Sequence, residues 1–141
     1  MIVAVASGKG GTGKTTVSIA LAMTAPSGSK LLDCDVEEPN CALFLQARKT
    51  SSDTVNVMLP EVDASLCNGC GVCSEFCAYN ALAGLGRRIL VFPELCHSCG
   101  GCAMLCPQHA IREVPSPIGT IQSSAADGFE LVSGSLTVGK A

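Results

Sequence analysis

The sequence predicts an α/β chain in which the opening of a doubly wound parallel sheet is interrupted by a small cysteine-rich α+β unit. Three observations predict it. An apolar run at 2–6 feeds a glycine-rich loop and then residues with helical periodicity, a second apolar run ends in Asp33-Cys34-Asp35, and a four-cysteine pattern occurs twice at a constant offset of 29 residues. These divide the chain into 1–60, the cysteine unit at 61–114, and a returning hairpin at 115–141.

Composition narrows the function classes. Only 15% of the 141 residues are charged, against about 25% in an average globular chain. With 48% hydrophobic residues and 4% aromatics, any core is built from Val, Leu, Ile, Ala and Cys. A net charge of −3 gives no basic footprint for nucleic acid. No apolar run approaches the roughly 18 residues that cross a bilayer, and the N-terminus lacks the basic stretch and cleavage site of a signal peptide. The ten cysteines therefore suggest metal binding in a reducing cytoplasm rather than a disulfide framework. Cys34 and Cys41, outside both runs, are expected to be small buried side chains rather than ligands.

Residues 2–6 have the continuous apolar character of a strand buried on both faces. They lead into Gly8-Lys9-Gly10-Gly11-Thr12-Gly13-Lys14-Thr15-Thr16, which fits G-x-x-x-x-G-K-T, the P-loop. Glycines let successive N–H groups curl around a polyphosphate at a helix N-terminus, whose dipole favours the anion. Lys14 then reaches the β- and γ-phosphates of ATP, the Thr15 hydroxyl binds Mg²⁺, and Thr16 lies beside the α-phosphate. Val17, Ala20, Leu21 and Thr24 follow at the spacing of an amphipathic helix packed on a sheet, which Pro26 and Gly28 stop. With Lys9 as a second lysine, the loop resembles the deviant Walker A motif of the MinD and ParA type ATPases and the nitrogenase iron protein. That resemblance implies that Lys9 crosses a nucleotide-sandwich homodimer to the partner's phosphates.

Leu31 and Leu32 open a second buried strand that ends in Asp33-Cys34-Asp35-Val36-Glu37-Glu38-Pro39-Asn40. Carboxylates at the carboxyl end of a parallel strand lie beside the phosphate crevice. Resemblance to the family's D-x-D segment implies that Asp33 holds Mg²⁺ water and that Asp35 orients an attacking water. Glu37 and Glu38 are expected to be solvated. Residues 46–53 look like a polar loop, and Val55, Val57 and Leu59 like a short half-buried strand before Pro60.

Cys67, Cys70, Cys73 and Cys77 recur as Cys96, Cys99, Cys102 and Cys106, and Ala81-Leu82 recurs as Ala110-Ile111. The spacing C-x2-C-x2-C-x3-C suits a cubane, because three cysteines in a tight loop converge on three irons while the fourth leaves on the following helix. In two-cluster ferredoxins the fourth cysteine ligates the other cluster. One 4Fe-4S cluster is thus assigned to Cys67, Cys70, Cys73 and Cys106, and the second to Cys96, Cys99, Cys102 and Cys77. Glycines at 69, 71, 100 and 101 suit a backbone that wraps a cluster closely. Zinc more often takes two separated C-x2-C pairs or Cys/His sets. His97 is read as a spacer, and Arg87-Arg88 as an exposed turn. The stretch 60–114 resembles a bacterial-type two-cluster ferredoxin domain, with Ala78 where the motif usually has Pro, a position that ligates nothing.

After Pro115 and Pro117, residues 118–122 and 129–132 flank Asp127-Gly128 as a hairpin. Taken together, the order of motifs resembles MinD-superfamily P-loop ATPases that contain an inserted ferredoxin domain. The resemblance implies ATP and ADP as ligands, two 4Fe-4S clusters and Mg²⁺ as cofactors, and a redox or cluster-accepting protein as partner. That family continues into further parallel strands, a Walker B segment and an adenine-contacting loop. The chain is therefore expected to leave apolar faces uncovered and to be a fragment, or a sheet completed by a partner or by self-association. An electron carrier or a cluster scaffold with a non-hydrolysing P-loop is the alternative.

Overall fold

The structure is a computed structural model that describes residues 1–139. It divides into one unit made of Met1–Val55 and residues 118 onward, and another made of Asn56–Pro117.

In the first unit, helix α1 (Lys14–Thr24) starts after Gly13, whose φ of 86° is left-handed. It ends where Ala25 turns extended, as a residue before proline prefers. Strand β1 (Ser29–Asp33) follows a turn closed by Ser29 N–H to the Pro26 carbonyl at 3.2 Å. Next come the short helix α2 (Cys41–Leu45) and strand β2 (Arg48–Val62). The chain returns as β5 (Ile111–Ala126) and β6 (Phe129–Leu136), numbered after two strands of the cysteine unit. The sheet order is β1-β6-β5-β2, with β2 from residue 56 on and β5 up to residue 117 belonging to the second unit. β1 pairs in parallel with β6 from Ser29↔Phe129 to Asp33↔Ser133, while β5 and β6 are antiparallel from Gly119↔Leu136 to Ala126↔Phe129. The expected hairpin is thus present. This mixed α/β unit is centred on Leu131, whose side chain is fully buried.

Four expectations need correction here. Residues 2–6 form no strand: Ile2 is 99% exposed and Val3 61%. A strand exists only through its ladder, and β1, the edge of this sheet, takes no bond from that run. The strand carrying Leu31 and Leu32 is present but not buried on both faces, since Leu32 is 62% exposed. Residues 48–53 are not a loop but the start of β2. Their polar side chains suit an edge strand in which seven consecutive residues are exposed, and Pro60 is tolerated there because an edge strand leaves one row of N–H groups unpaired. Cys34 is exposed rather than buried, whereas Cys41 is buried. The anticipated uncovered apolar surface is present, with Leu43 and Phe44 exposed and no α1 residue buried.

The second unit repeats its backbone as well as its sequence. Helix α3 (Val72–Phe76) and helix α4 (Gly101–Leu105) differ by the 29-residue offset, and each starts after a left-handed glycine, Gly71 with φ 83° and Gly100 with φ 71°. Asn80 and His109, also at that offset, both take positive φ, 54° and 48°. Strands β3 (Leu82–Leu85) and β4 (Arg88–Val91) form an antiparallel hairpin whose turn leaves Arg87 and Arg88 exposed. A 3-10 turn at Pro93–Leu95 leads into the second cysteine loop. The buried core consists of Cys73, Ala81, Leu82, Cys102, Cys106, Ala110 and Ile111, so the duplicated Ala-Leu and Ala-Ile pairs meet in one interior. Burying Leu82 and Ile111 stabilises this unit by about 1.5–3 kcal/mol each.

Pro115 and Pro117 lie inside β5 rather than ending a domain outright. They precede the stretch that pairs with β6, which begins at Gly119, so they interrupt no bond to that strand.

Candidate iron-sulfur and nucleotide sites

The cysteine loops are built from turns that free backbone N–H groups while holding the thiols. Asp63 begins the first. Its carboxylate accepts the Ser65 N–H at 2.8 Å and the Ser65 hydroxyl at 2.6 Å, and its carbonyl accepts the Cys67 N–H at 3.0 Å. Those Ser65 bonds hold the Asp63 carboxyl below its ordinary range. Cys77 and Cys106 leave α3 and α4 in extended conformation, and their sulfurs accept the N–H of Ala81 and Ala110, each at 3.3 Å. Cys96 Sγ accepts the Ser98 N–H at 3.4 Å.

Two cavities result. One is lined by Cys67, Cys70, Cys73 and Cys106, the other by Cys77, Cys96, Cys99 and Cys102. The structure therefore brings together the interleaved sets, each loop's three thiols with the fourth thiol of the other half. The cavities measure about 10 Å³ and about 200 Å³ respectively. Four thiols are the donor set that a 4Fe-4S cubane takes, and the ten cysteines are free of disulfides. Among the described residues no three His, Cys, Asp or Glu side chains converge on a point that would hold a single ion. A cubane needs no such convergence, because its thiolates go to separate irons. Burial pushes the Cys73 and Cys102 thiols up, so a cluster that binds their thiolates displaces protons.

Sequence reading missed the side chains that complete these cavities. His97, read as a spacer, lines the second cavity and stacks on Tyr79 with ring centroids 3.8 Å apart. Glu113 lines the same cavity, and Asn68 and Gln108 line the first. The signal was available in the offset, which superposes Asn68 on His97 and Tyr79 on Gln108.

Gly69 shows how closely the first loop is wrapped. Its φ is 76°, and a Cβ there would lie 2.7 Å from Arg87 Cα and 2.9 Å from the Gly86 carbonyl oxygen. Gly69→Ala is expected to cost about 2–4 kcal/mol, strain plus overlap with backbone that cannot yield. Gly71→Ala, equally left-handed but with no atom closer than 3.9 Å, is expected to cost about 1–2 kcal/mol. Anaerobic unfolding of the two variants checks the difference.

In the first unit, Gly8 to Thr12 are exposed, and Lys14 and Thr15 are half-buried on the first turn of α1. The loop is held by its own side chains. Thr12 Oγ1 donates to Ser7 Oγ at 2.7 Å, and Ser7 Oγ donates to the Lys9 carbonyl at 2.9 Å. Gly11 and Gly13 have φ of 74° and 86°, and Thr16 is exposed. The helix thus presents its first N–H groups beside Lys14 and Thr15, as a phosphate cradle requires.

Asp33, at the end of β1, is 9% exposed. Its carboxylate accepts N–H groups from Asp35 at 3.2 Å, Asn40 at 3.2 Å and Cys41 at 3.1 Å. It therefore shapes the loop that carries Asp35, which is exposed, as are Glu37 and Glu38. Burial, reinforced by the Asp33 carboxylate, pushes the Cys41 thiol up from 9.0 to about 12. Because folding raises this value, the stability that it contributes is complete below about 9 and is lost as pH climbs through about 12. Under anaerobic alkylation at mildly alkaline pH, Cys34 is expected to react and Cys41 to stay unmodified, with peptide mass spectrometry as the readout.

Comparison with known proteins bears on both units. A family model for the ParA group, described as NUBPL iron-transfer P-loop NTPase, matches residues 1–74, and one described as a 4Fe-4S dicluster domain matches residues 59–107. An uncharacterized protein of Methanocaldococcus jannaschii is 33% identical over 85 residues, which make up 58% of this chain and 30% of the relative. The chain spans less than a third of the length of that curated relative. With a P-loop that opens α1 and two four-cysteine cavities in the following unit, the chain belongs to the ParA family of NUBPL iron-transfer P-loop NTPases and carries a 4Fe-4S dicluster domain.

Proposed function

We propose that this chain is the nucleotide-binding and iron-sulfur part of a protein that couples nucleotide state to electron transfer or to the handling of clusters. The observation that carries this reading is the sorting of eight cysteines into two cavities of four, each drawing on both halves of the duplication, in a chain whose first 74 residues match a P-loop NTPase. Cys67, Cys70, Cys73 and Cys106 would hold one cluster, and Cys77, Cys96, Cys99 and Cys102 the other. Bound there, the clusters supply one-electron chemistry. Residues 8–16 bind the phosphates of ATP, with Lys14 on the β- and γ-phosphates and Thr15 on Mg²⁺. Lys9 acts across a MinD-like homodimer, and Asp33 and Asp35 serve Mg²⁺ and the attacking water. On this reading the mixed sheet is part of a doubly wound parallel sheet, with the dicluster domain inserted at 61–114, and the protein works in the cytoplasm beside a redox or cluster-accepting partner. Asp33 reaches that role through the loop that its carboxylate holds.

The test is titration of Mg²⁺-ATP into anaerobically prepared protein, followed by calorimetry and by the reduction potentials of the clusters. Saturable binding that shifts a potential, or that speeds cluster transfer to an apoprotein, supports the proposal. Binding with neither effect, or no binding at all, overturns the coupling.

One observation favours a second reading, a ferredoxin-like carrier or a cluster scaffold. Residues 2–6 stand outside the sheet and α1 buries no side chain, so the phosphate loop lacks firm backing. Reversible one-electron reduction with no ATP affinity would select this reading.

A further inference from the structure

The two cavities are equivalent by repeat but not by chemistry. Around Cys77, Cys96, Cys99 and Cys102 stand the stacked rings of Tyr79 and His97 together with the Glu113 carboxylate. At the corresponding places around Cys67, Cys70, Cys73 and Cys106 stand the amides Gln108 and Asn68, and the position 29 residues before Glu113 is Gly84. Glu113 oxygens lie 3.2 and 3.3 Å from where a Cβ of Gly100 would be, directly against the second cysteine loop. Among the described residues Glu113 enters no ion pair, and its neighbour Arg112 is taken by Glu61 at 2.6 Å.

We infer that the Glu113 carboxylate holds the two clusters at different reduction potentials, the Cys77/Cys96/Cys99/Cys102 cluster lower and the Cys67/Cys70/Cys73/Cys106 cluster higher, so that a single electron rests on the latter. The inference rests on the paired-cluster reading above. Reduction of a cluster by one electron adds one negative charge. A carboxylate at the cavity wall opposes that addition, whereas N–H donors to sulfur favour it; the second set takes two such bonds, from Ala81 to Cys77 and from Ser98 to Cys96, against one from Ala110 to Cys106 in the first, and the full charge of Glu113 outweighs that one extra neutral donor. The Asn68 side-chain oxygen accepts the Cys70 N–H at 3.1 Å. The direction of electron flow through the unit is thereby set: a low-potential donor that reduces the lower cluster passes its electron on to the higher one.

Anaerobic voltammetry and an EPR-monitored reductive titration test this on the full chain, after iron and sulfide analysis has established two complete clusters. Two separate one-electron waves are expected. Glu113→Gln keeps the side chain's size and removes its charge. It is expected to raise the lower wave alone, changing the partition of one electron between the clusters about tenfold, equivalent to about 59 mV for a one-electron couple. Coincident waves in the unmodified protein, or a Glu113→Gln shift confined to the upper wave, overturn the inference. Less than two clusters' worth of iron and sulfide would instead overturn the reading on which it rests.

Discussion

Cys77→Ser is expected to remove one cluster and leave the other, and the survivor is the cluster held by Cys67, Cys70 and Cys73, the cysteines nearest Cys77 in sequence. If each half carried its own cluster, the opposite would hold. The expectation follows from the cavity walls: Cys77 faces Cys96, Cys99 and Cys102, while Cys106 faces the first loop. Iron and sulfide content should fall by half, with the remaining EPR signal that of the cavity carrying Asn68 and Gln108. Pairing substitutions sharpens the result, because changes within one set are grossly non-additive. Cys77→Ser with Cys96→Ser should look like either alone, whereas Cys77→Ser with Cys67→Ser should lose both clusters. Loss of the Cys67/Cys70/Cys73 signal in the Cys77 variant would refute interleaved ligation.

Lys14→Ala is expected to weaken Mg²⁺-ATP binding at least about a hundredfold, or about 2.7 kcal/mol. A lysine ammonium against a polyphosphate forms charge-assisted hydrogen bonds that are roughly twice as strong as neutral ones, and Lys14 stands on the first turn of α1, where the helix N–H groups also point. The cluster content and visible spectrum should be unchanged, since Lys14 lies in the unit that holds no cluster cysteine. Calorimetric titration of the two proteins side by side gives the answer. Equal affinity would mean that the loop binds no triphosphate.

Much of this was legible because the chemistry demands particular residues at particular spacings. Three cysteines within a tight loop and a fourth after one helical turn leave few arrangements, and the rule that two-cluster ferredoxins exchange the fourth cysteine supplied the partner expected for each. Helix α1 was equally readable, from apolar residues at i, i+3 and i+4 bounded by glycine and proline. Residues 2–6 were misread because an apolar run says that a segment seeks a sheet, not that a neighbouring strand is there to receive it. The polar stretch 48–53 looked like a loop because solvent-facing edge strands lack the alternation that marks a half-buried one. Asp33 could be placed at the end of its strand, yet its three backbone partners depend on how residues 35–41 fold back. Tyr79 and His97 are eighteen positions apart in sequence, and only the crossing of the halves makes them neighbours.

On the proposed ligation, that crossing would also govern how the clusters are inserted. A cubane held by Cys67, Cys70 and Cys73 would anchor Cys106, and so would fix the end of α4, the helix that leads out of the other loop. The second insertion then meets thiols already gathered at high effective concentration, and should proceed faster than the first. Partly metallated molecules should therefore be scarce during reconstitution, with apo and fully loaded forms dominating at every stage.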